Sequence, residues 1–212
     1  MGFWQNRWQS QQIGWHRADY NDLMVKHWPS FNVPNGSEVL VPLCGKSLDM
    51  LWLAEQGYSV VGLDMVEQAV QTFFEENELE FISTKSGKHV QHSSPPFTIF
   101  QGDFFQLKEG TVNADAWYDR AAMIAIPLAS RKAYVDQIRK QTKPNAVGLL
   151  ITFAYPQKEM EGPPFALHDE HVFELFSNGF EVECLENIDL GDEKERGLTS
   201  VTSSVFRIKR LA

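Results

Sequence analysis

The chain is predicted to be an α/β protein built on a mostly parallel sheet with helices on both faces, and three stretches carry that prediction. Val39 to Leu43 is an apolar run that breaks into a turn at Cys44-Gly45 and then into a helical pattern. A second apolar run, Ser59 to Asp64, ends in an acid 19 residues after Gly45. The chain closes on two long runs, Glu181 to Leu190 and Ser200 to Ile208, joined by the charged turn Gly191 to Gly197. Apolar runs alternating with amphipathic stretches form strand–helix–strand units and hence parallel sheets, whereas two runs joined by a turn pair antiparallel.

The elements follow in order. Phe3 to Gln12 and Asp19 to Trp28 read as short helices: Trp4 and Trp8 stand i, i+4, and Leu23, Met24 and His27 share a face before Pro29. Residues 1–33 therefore form a helical cap and residues 34–212 the core of one domain, a length that a single core accommodates. After Pro34-Asn35-Gly36, Glu38 to Leu43 is the first strand, Ser47 to Gln56 a helix stopped by Gly57, Ser59 to Asp64 the second strand and Glu67 to Asn77 a second helix. Phe81 to Phe100 is irregular, broken by Pro95-Pro96, and reads as a hairpin insertion before a strand at Phe97 to Gln101. Ala114 to Asp119 is a strand, Ser130 to Thr142 an amphipathic helix ending before Pro144, and Ala146 to Ala154 a fully apolar central strand. A loop at Gly162-Pro163-Pro164-Phe165 precedes a helix from Asp169 to Ser177 and the two closing strands. Seven strands result. A parallel sheet that ends antiparallel is the order of a class I, Rossmann-like methyltransferase rather than of a dehydrogenase.

Composition narrows the function. A formal net charge of −9 argues against a broad basic face of the kind that displaces counterions from DNA or RNA, so a small molecule is the expected partner. Six Trp and fifteen Phe suggest aromatic-lined surfaces as well as a core. Cys44 and Cys184 are far apart in sequence and have no metal-ligand spacing. His168-Asp169-Glu170-His171 looks like a helix N-terminus with acids in its first turn, so no metal is expected. The N-terminus lacks a signal peptide's apolar run, and no apolar stretch reaches the ~18 residues of a membrane span. A soluble, cytoplasmic monomer is expected.

The strand, turn and helix around Gly45 aim a helix N-terminus at whatever lies above the sheet, and Asp64 at the neighbouring strand tip can accept from both hydroxyls of a ribose. A dinucleotide site usually carries G-x-G-x-x-G. This turn has one glycine, which directs the reading toward a nucleoside cofactor without phosphate. Strand ends of doubly wound sheets present functional groups, and Arg120 follows Asp119 at such an end.

Several motifs together resemble the thiopurine S-methyltransferase family, its bacterial branch most closely, over essentially the whole chain. They are Phe3-Trp4-x-x-x-Trp8, Ile13-Gly14-Trp15-His16, Val41-Pro42-Leu43-Cys44-Gly45-Lys46-Ser47, Gly57-x-x-Val60-Val61-Gly62, Tyr118-Asp119-Arg120-Ala121-Ala122 and Gly162-Pro163-Pro164-Phe165. The resemblance implies S-adenosylmethionine as cofactor, S-adenosylhomocysteine as product and an aromatic or heterocyclic thiol as acceptor. Carried over by position, Trp8, Leu43 and Gly45 border the cofactor, Asp64 holds the ribose, Gly102 and Asp103 flank the adenine, and Arg120 sits beside the methionine end. Asp64 replaces the family's usual Glu. Trp15 stands where the family places an aromatic, commonly Phe, against the acceptor, and Arg196 where it has an arginine near the acceptor.

Each assignment has a structural alternative. Trp8 can staple the cap to the core, Trp15 can cap the core, Arg120 can pair with a neighbouring acid, and Arg196 can be a solvated charge. Methyl transfer from a sulfonium is an in-line displacement that needs alignment and water exclusion above all. Heterocyclic thiols are largely ionised near neutral pH, a form that Arg120 or Arg196 would favour, and Asp119 is a possible proton acceptor for less acidic ones. Selenium or tellurium species are alternative acceptors, as a route of metalloid detoxification, and a non-catalytic cofactor-binding regulator is the alternative from another class.

Overall fold

The computed structural model describes residues 2–212; Met1, the first residue of the expected cap, lies outside them. Six α-helices and nine strands are described: α1 (Phe3–Gln9), α2 (Asp22–His27), β1 (Glu38–Pro42), α3 (Asp49–Glu55), β2 (Ser59–Asp64), α4 (Glu67–Glu76), β3 (Ile82–Ser86), β4 (His89–Ser94), β5 (Phe97–Gln101), β6 (Ala114–Arg120), α5 (Leu128–Lys140), β7 (Thr142–Ile151), α6 (Asp169–Leu175), β8 (Phe180–Glu193) and β9 (Leu198–Arg210). All nine strands form one sheet, ordered β3-β4-β5-β2-β1-β6-β7-β9-β8.

Five central strands, β5 through β7, run parallel. β9 lies antiparallel to both β7 and β8. These are the seven expected strands, and two more extend the sheet, because the irregular stretch before β5 folds as an antiparallel hairpin, β3 and β4, paired onto β5. Its polar, Ser- and His-containing sequence suits an edge with one face in water.

Apolar alternation along the strands builds a core on each face. On one face Val39 and Val41 of β1 and Val60 of β2 pack with Met50 and Leu53 of α3, Phe73 and Phe74 of α4 and Met24 of α2. On the other, Leu40, Val61 and Leu63 pack with Tyr134 and Ile138 of α5 and Val172 of α6. Among the described residues no helix is long and apolar enough to cross a membrane.

Element ends differ from the sequence reading for local reasons. α1 stops at Gln9, short of Gln12, where Gln11 turns the chain at φ 56°. α2 begins at Asp22 rather than Asp19, because the Asn21 side chain accepts the Leu23 and Met24 N–H groups and caps it. α3 begins at Asp49, the residues before it being used in the turn after β1. α5 starts at Leu128, directly after Pro127. β7 runs from Thr142 to Ile151, and Ala154 makes only an isolated bridge to Thr202. β8 and β9 are longer than expected and carry register shifts between Cys184 and Glu186 and again between Asp189 and Glu193, which bend the pair.

At the middle of the sheet Trp117 of β6 lies opposite Gly148 of β7, and a Cβ on Gly148 would fall inside the indole ring. Gly148→Ala should therefore destabilise the fold by ~1–3 kcal/mol through overpacking, read as a lower urea midpoint; an unchanged midpoint would show that the indole moves freely.

Candidate active site

A cleft of about 1030 Å³ crosses the C-terminal ends of β1, β2, β5 and β6. It sits where the strand order reverses, between β1 and β6, the place where open α/β sheets bind ligands.

Its floor is the turn after β1. Leu43 takes φ 47° and Gly45 φ 54°, a conformation costly for leucine and therefore held by its surroundings. Cys44 N–H donates to the Leu63 carbonyl at 2.9 Å, and Gly45 N–H donates to Asp64 Oδ2 at 2.8 Å. Asp64 Oδ1 accepts from Val66 N–H at 2.8 Å. Both carboxylate oxygens are thus engaged with backbone, yet each keeps a second acceptor direction. Burial pushes the Asp64 carboxyl up to about 6, against the opposing pull of the Val66, Gly45 and Met65 N–H groups.

β5 supplies the adjoining wall. Gly102 N–H donates to the Asp64 carbonyl at 2.8 Å, and Gly102 adopts φ 153° with the His89 ring occupying the space a Cβ would need. His89 Nε2 donates to the Asp103 carbonyl at 2.9 Å, so the β3–β4 hairpin reaches back to brace the cleft. Asp103 Oδ1 accepts from Phe105 N–H at 3.0 Å and caps a short turn. Met65 and Phe105 stay exposed at the rim, 46% and 40% accessible, two apolar side chains available to a flat ligand.

β6 supplies Arg120 and, next to it, Ala121 at φ 62°. Arg120 Nε donates to Asp49 Oδ2 at 3.1 Å and its Nη1 to the Trp15 carbonyl at 3.1 Å. Asp49, only 1% accessible, also accepts from Tyr118 Oη at 2.9 Å and from Asn21 N–H at 2.8 Å. The ion pair foreseen as an alternative for Arg120 is therefore present, while the residue still borders the cleft.

The cap closes one side. Trp8, buried against Val66 and Ala69, approaches Gly45 closely enough that a Cβ there would lie 3.4 Å from the indole. Trp15 meets Trp4 and Trp8 edge to face, with ring centroids 5.5 and 6.4 Å apart, a favoured aromatic geometry. Opposite stand Phe153, Met160, Pro163, Pro164, Ile188 and Leu190. Their loop is strapped down by the buried Arg131, which donates to the Ile126, Ala166 and Phe165 carbonyls, and by Tyr155 Oη, which donates to the Pro164 carbonyl at 2.6 Å. Arg196 reaches the mouth while pairing with Glu193 at 3.3 Å.

The structure thus gathers Trp8, Trp15, Leu43, Gly45, Asp64, Gly102, Asp103, Arg120 and Arg196 around one cleft. Asp119, expected as a proton acceptor, is placed elsewhere. It points to the other face of β6, is 2% accessible, and its oxygens accept from Met123 N–H at 3.0 Å and Tyr134 Oη at 2.7 Å. Alternation along the strand explains this, since Tyr118 and Arg120 share one face and Asp119 takes the opposite one. The sequence reading overlooked Asp49, whose one signal is an acid in the first turn of the helix after Gly45. Cys44 is buried, with its thiol pushed well up by desolvation and by Asp64, and packs toward the core.

The reversal of strand order, the inserted antiparallel β9 and the glycine turn clamped to an acid define a class I, Rossmann-like methyltransferase. A thiopurine S-methyltransferase family profile matches residues 1–211. Proteins named thiopurine S-methyltransferase from Shewanella pealeana and Shewanella loihica are 43% and 42% identical, covering 98% of this chain and 97% and 98% of theirs. The chain belongs to the thiopurine S-methyltransferase family. A 1,6-didemethyltoxoflavin-N1-methyltransferase from Burkholderia thailandensis, solved with 1,6-didemethyltoxoflavin and S-adenosylhomocysteine, superposes with a TM-score of 0.64 over 98% of this chain and 85% of that one. At 14% identity it shares the fold.

Asp49→Ala strands the Arg120 guanidinium and should cost ~3 kcal/mol in chemical denaturation, the scale of breaking a buried pair; a loss within error would make the pair incidental. Burial raises the Asp119 carboxyl from 3.8 to about 6, so the folded chain binds this proton more tightly than the unfolded one and the group disfavours folding increasingly as pH rises from about 4 to above 6. Asp119→Asn keeps an acceptor for Met123 and should raise Tm relative to the parent at pH 7, with the gain shrinking toward pH 5. A pH-independent difference would contradict the assignment.

Proposed function

We propose that this cleft binds S-adenosylmethionine and directs its methyl group onto the sulfur of an aromatic or heterocyclic thiol. One observation carries the cofactor reading: the amides of Cys44, Gly45 and Ser47 at the floor are already committed. Cys44 and Gly45 donate to Leu63 and Asp64, and Ser47 N–H donates to the Cys44 carbonyl at 3.1 Å, which leaves no ring of free N–H groups to cradle a pyrophosphate. A nucleoside cofactor without phosphate fits that floor. The bare backbone at Gly45 and Gly102 and the remaining acceptor directions of Asp64 suit a ribose, with Met65 and Phe105 beside a purine.

When bound, S-adenosylmethionine supplies a methyl group on a sulfonium, ready for in-line displacement. The chain's part is alignment and exclusion of water. Arg120, held by Asp49 and Trp15, keeps further donors for an anion in the cleft. The wall of Phe153, Met160, Ile188 and Leu190 offers apolar area to a planar organic acceptor, which favours a thiol over an inorganic selenium or tellurium species. Arg196 at the mouth attracts acceptor anions. In this reading the chain works as a cytoplasmic monomer, a setting that suits the unpaired Cys44 and Cys184.

Formation of the S-methyl product from a mercaptopurine, followed by mass spectrometry, tests the acceptor; no product from any of a panel of aromatic thiols would refute it. For the cofactor, calorimetry should show Asp64→Ala weakening S-adenosylhomocysteine binding by ~1.5–3 kcal/mol through lost charge-assisted hydrogen bonds. Because the Asp64 carboxyl sits at about 6, the affinity of the parent should decline as pH falls through that value. Flat affinity from pH 7.5 to 5 would remove Asp64 from the ribose.

A further inference from the structure

Asp119 is turned away from the cleft, so acceptors that arrive as neutral thiols need another base. The acids that border the cleft are already engaged: Asp22 with Arg17 at 3.1 Å, Asp64 with Gly45 and Val66 N–H, Asp103 with Phe105 N–H and Gln106 Nε2, and Glu193 with Arg196. His16 is different. It borders the same cleft, half-buried, and among the described residues its imidazole has no hydrogen-bond or ion-pair partner.

Its position is nevertheless fixed by the backbone. His16 N–H donates to the Ile13 carbonyl at 2.8 Å, and the carbonyl of the preceding residue, Trp15, accepts from Arg120 Nη1 at 3.1 Å. The backbone that carries the ring is thereby fixed beside the cleft, which His16 lines. Four charged groups act on it: Lys46 from the turn after β1, Arg120 from β6, Glu76 from α4 and Asp49 from α3. Lys46 is itself paired with Glu76 at 2.6 Å, as Arg120 is with Asp49 at 3.1 Å. Burial, then Lys46, then Arg120 favour the uncharged ring, against Glu76 and Asp49, and the net effect holds His16 below its ordinary value near 6.5. A neutral imidazole without a partner, in a cleft whose other acids are engaged, is a base available to a ligand.

We propose that His16 is a catalytic base that takes the proton from weakly acidic thiol acceptors. The proposal rests on the thiol reading above. The S–H proton passes to a ring nitrogen of His16. The freed sulfur lone pair forms the new S–CH3 bond while the bond between methyl and sulfonium breaks, its electron pair staying with the leaving sulfur as a neutral thioether. The imidazolium returns the proton to water as products depart. Acceptors that are already thiolates have no such need, so His16 widens the range of acceptors rather than enabling every one.

The test compares the parent and His16→Gln on phenylethanethiol, which is protonated near neutral pH, and on para-nitrothiophenol, which is ionised. For the variant, kcat/KM on phenylethanethiol should drop by ~100-fold, the scale of lost general-base catalysis, and at least tenfold more than on para-nitrothiophenol. With S-adenosylmethionine saturating at every pH, so that protonation of Asp64 does not enter, the parent's kcat/KM on phenylethanethiol should decline as pH falls below 6.5, because the base is lost on protonation, and that limb should vanish in the variant. NMR titration of the His16 imidazole in the S-adenosylhomocysteine complex should give the same midpoint. Equal losses on both thiols, a retained limb, or a His16 midpoint above 6.5 would each overturn the proposal. A parent that binds S-adenosylhomocysteine yet methylates neither thiol would overturn the acceptor reading and this role with it.

Discussion

A single buried carboxylate, that of Asp49, holds the site together. It accepts from the capping residue before α2 through Asn21 N–H, from β6 through Tyr118 Oη and Arg120 Nε, and it belongs to α3. Three elements distant in sequence are fastened at one point, and the Arg120 guanidinium extends the link to the Trp15 carbonyl. A carboxyl group buried this deeply persists only where its partners satisfy it fully. The cap helices are short, and helices of this length are marginal by themselves. Their position over the sheet comes from this junction and from the tryptophan cluster rather than from helical propensity.

Around that junction the backbone departs from comfortable geometry at the ends of two strands. Leu43 after β1 and Ala121 after β6 both take positive φ, and both face the cleft. Such conformations endure where hydrogen bonds over-determine them, and they concentrate at functional sites. At Leu43 the fixing contacts are visible: Cys44 and Gly45 are tied to Leu63 and Asp64 on the adjacent strand. The same acid that lines the floor also shapes it, so its position and that of the glycine turn cannot vary separately.

Much of this was legible in the amino-acid order, because local signals were strong there. The apolar run ending at Asp64 marked β2 to its observed limits, and the run before Gly45 marked β1 to within a residue. The residues carried over by motif lie on the cleft, Asp119 excepted. Asp119 was misplaced because a strand's two faces differ only by parity, and its neighbour Arg120 drew attention to the wrong one. Asp49 escaped notice because its worth lies in partners remote in sequence, Asn21 and Tyr118. The hairpin ahead of β5 was seen as an insertion but not counted into the sheet, since His89 finds its purpose only against Gly102 and Asp103. Helix limits shifted wherever a side chain, such as Asn21, supplied a cap.

The long β8–β9 arm has a further consequence. The floor is built from β1, β2 and β5, whereas the opposite wall comes from the segment after β7 and from the bulged end of the arm, with Arg120 between them. The two halves share little chain. Substitutions at Ile188, Leu190 or Arg196 can remodel one half while the turn at Gly45 stays intact, so the architecture lets the acceptor wall change without disturbing the cofactor floor.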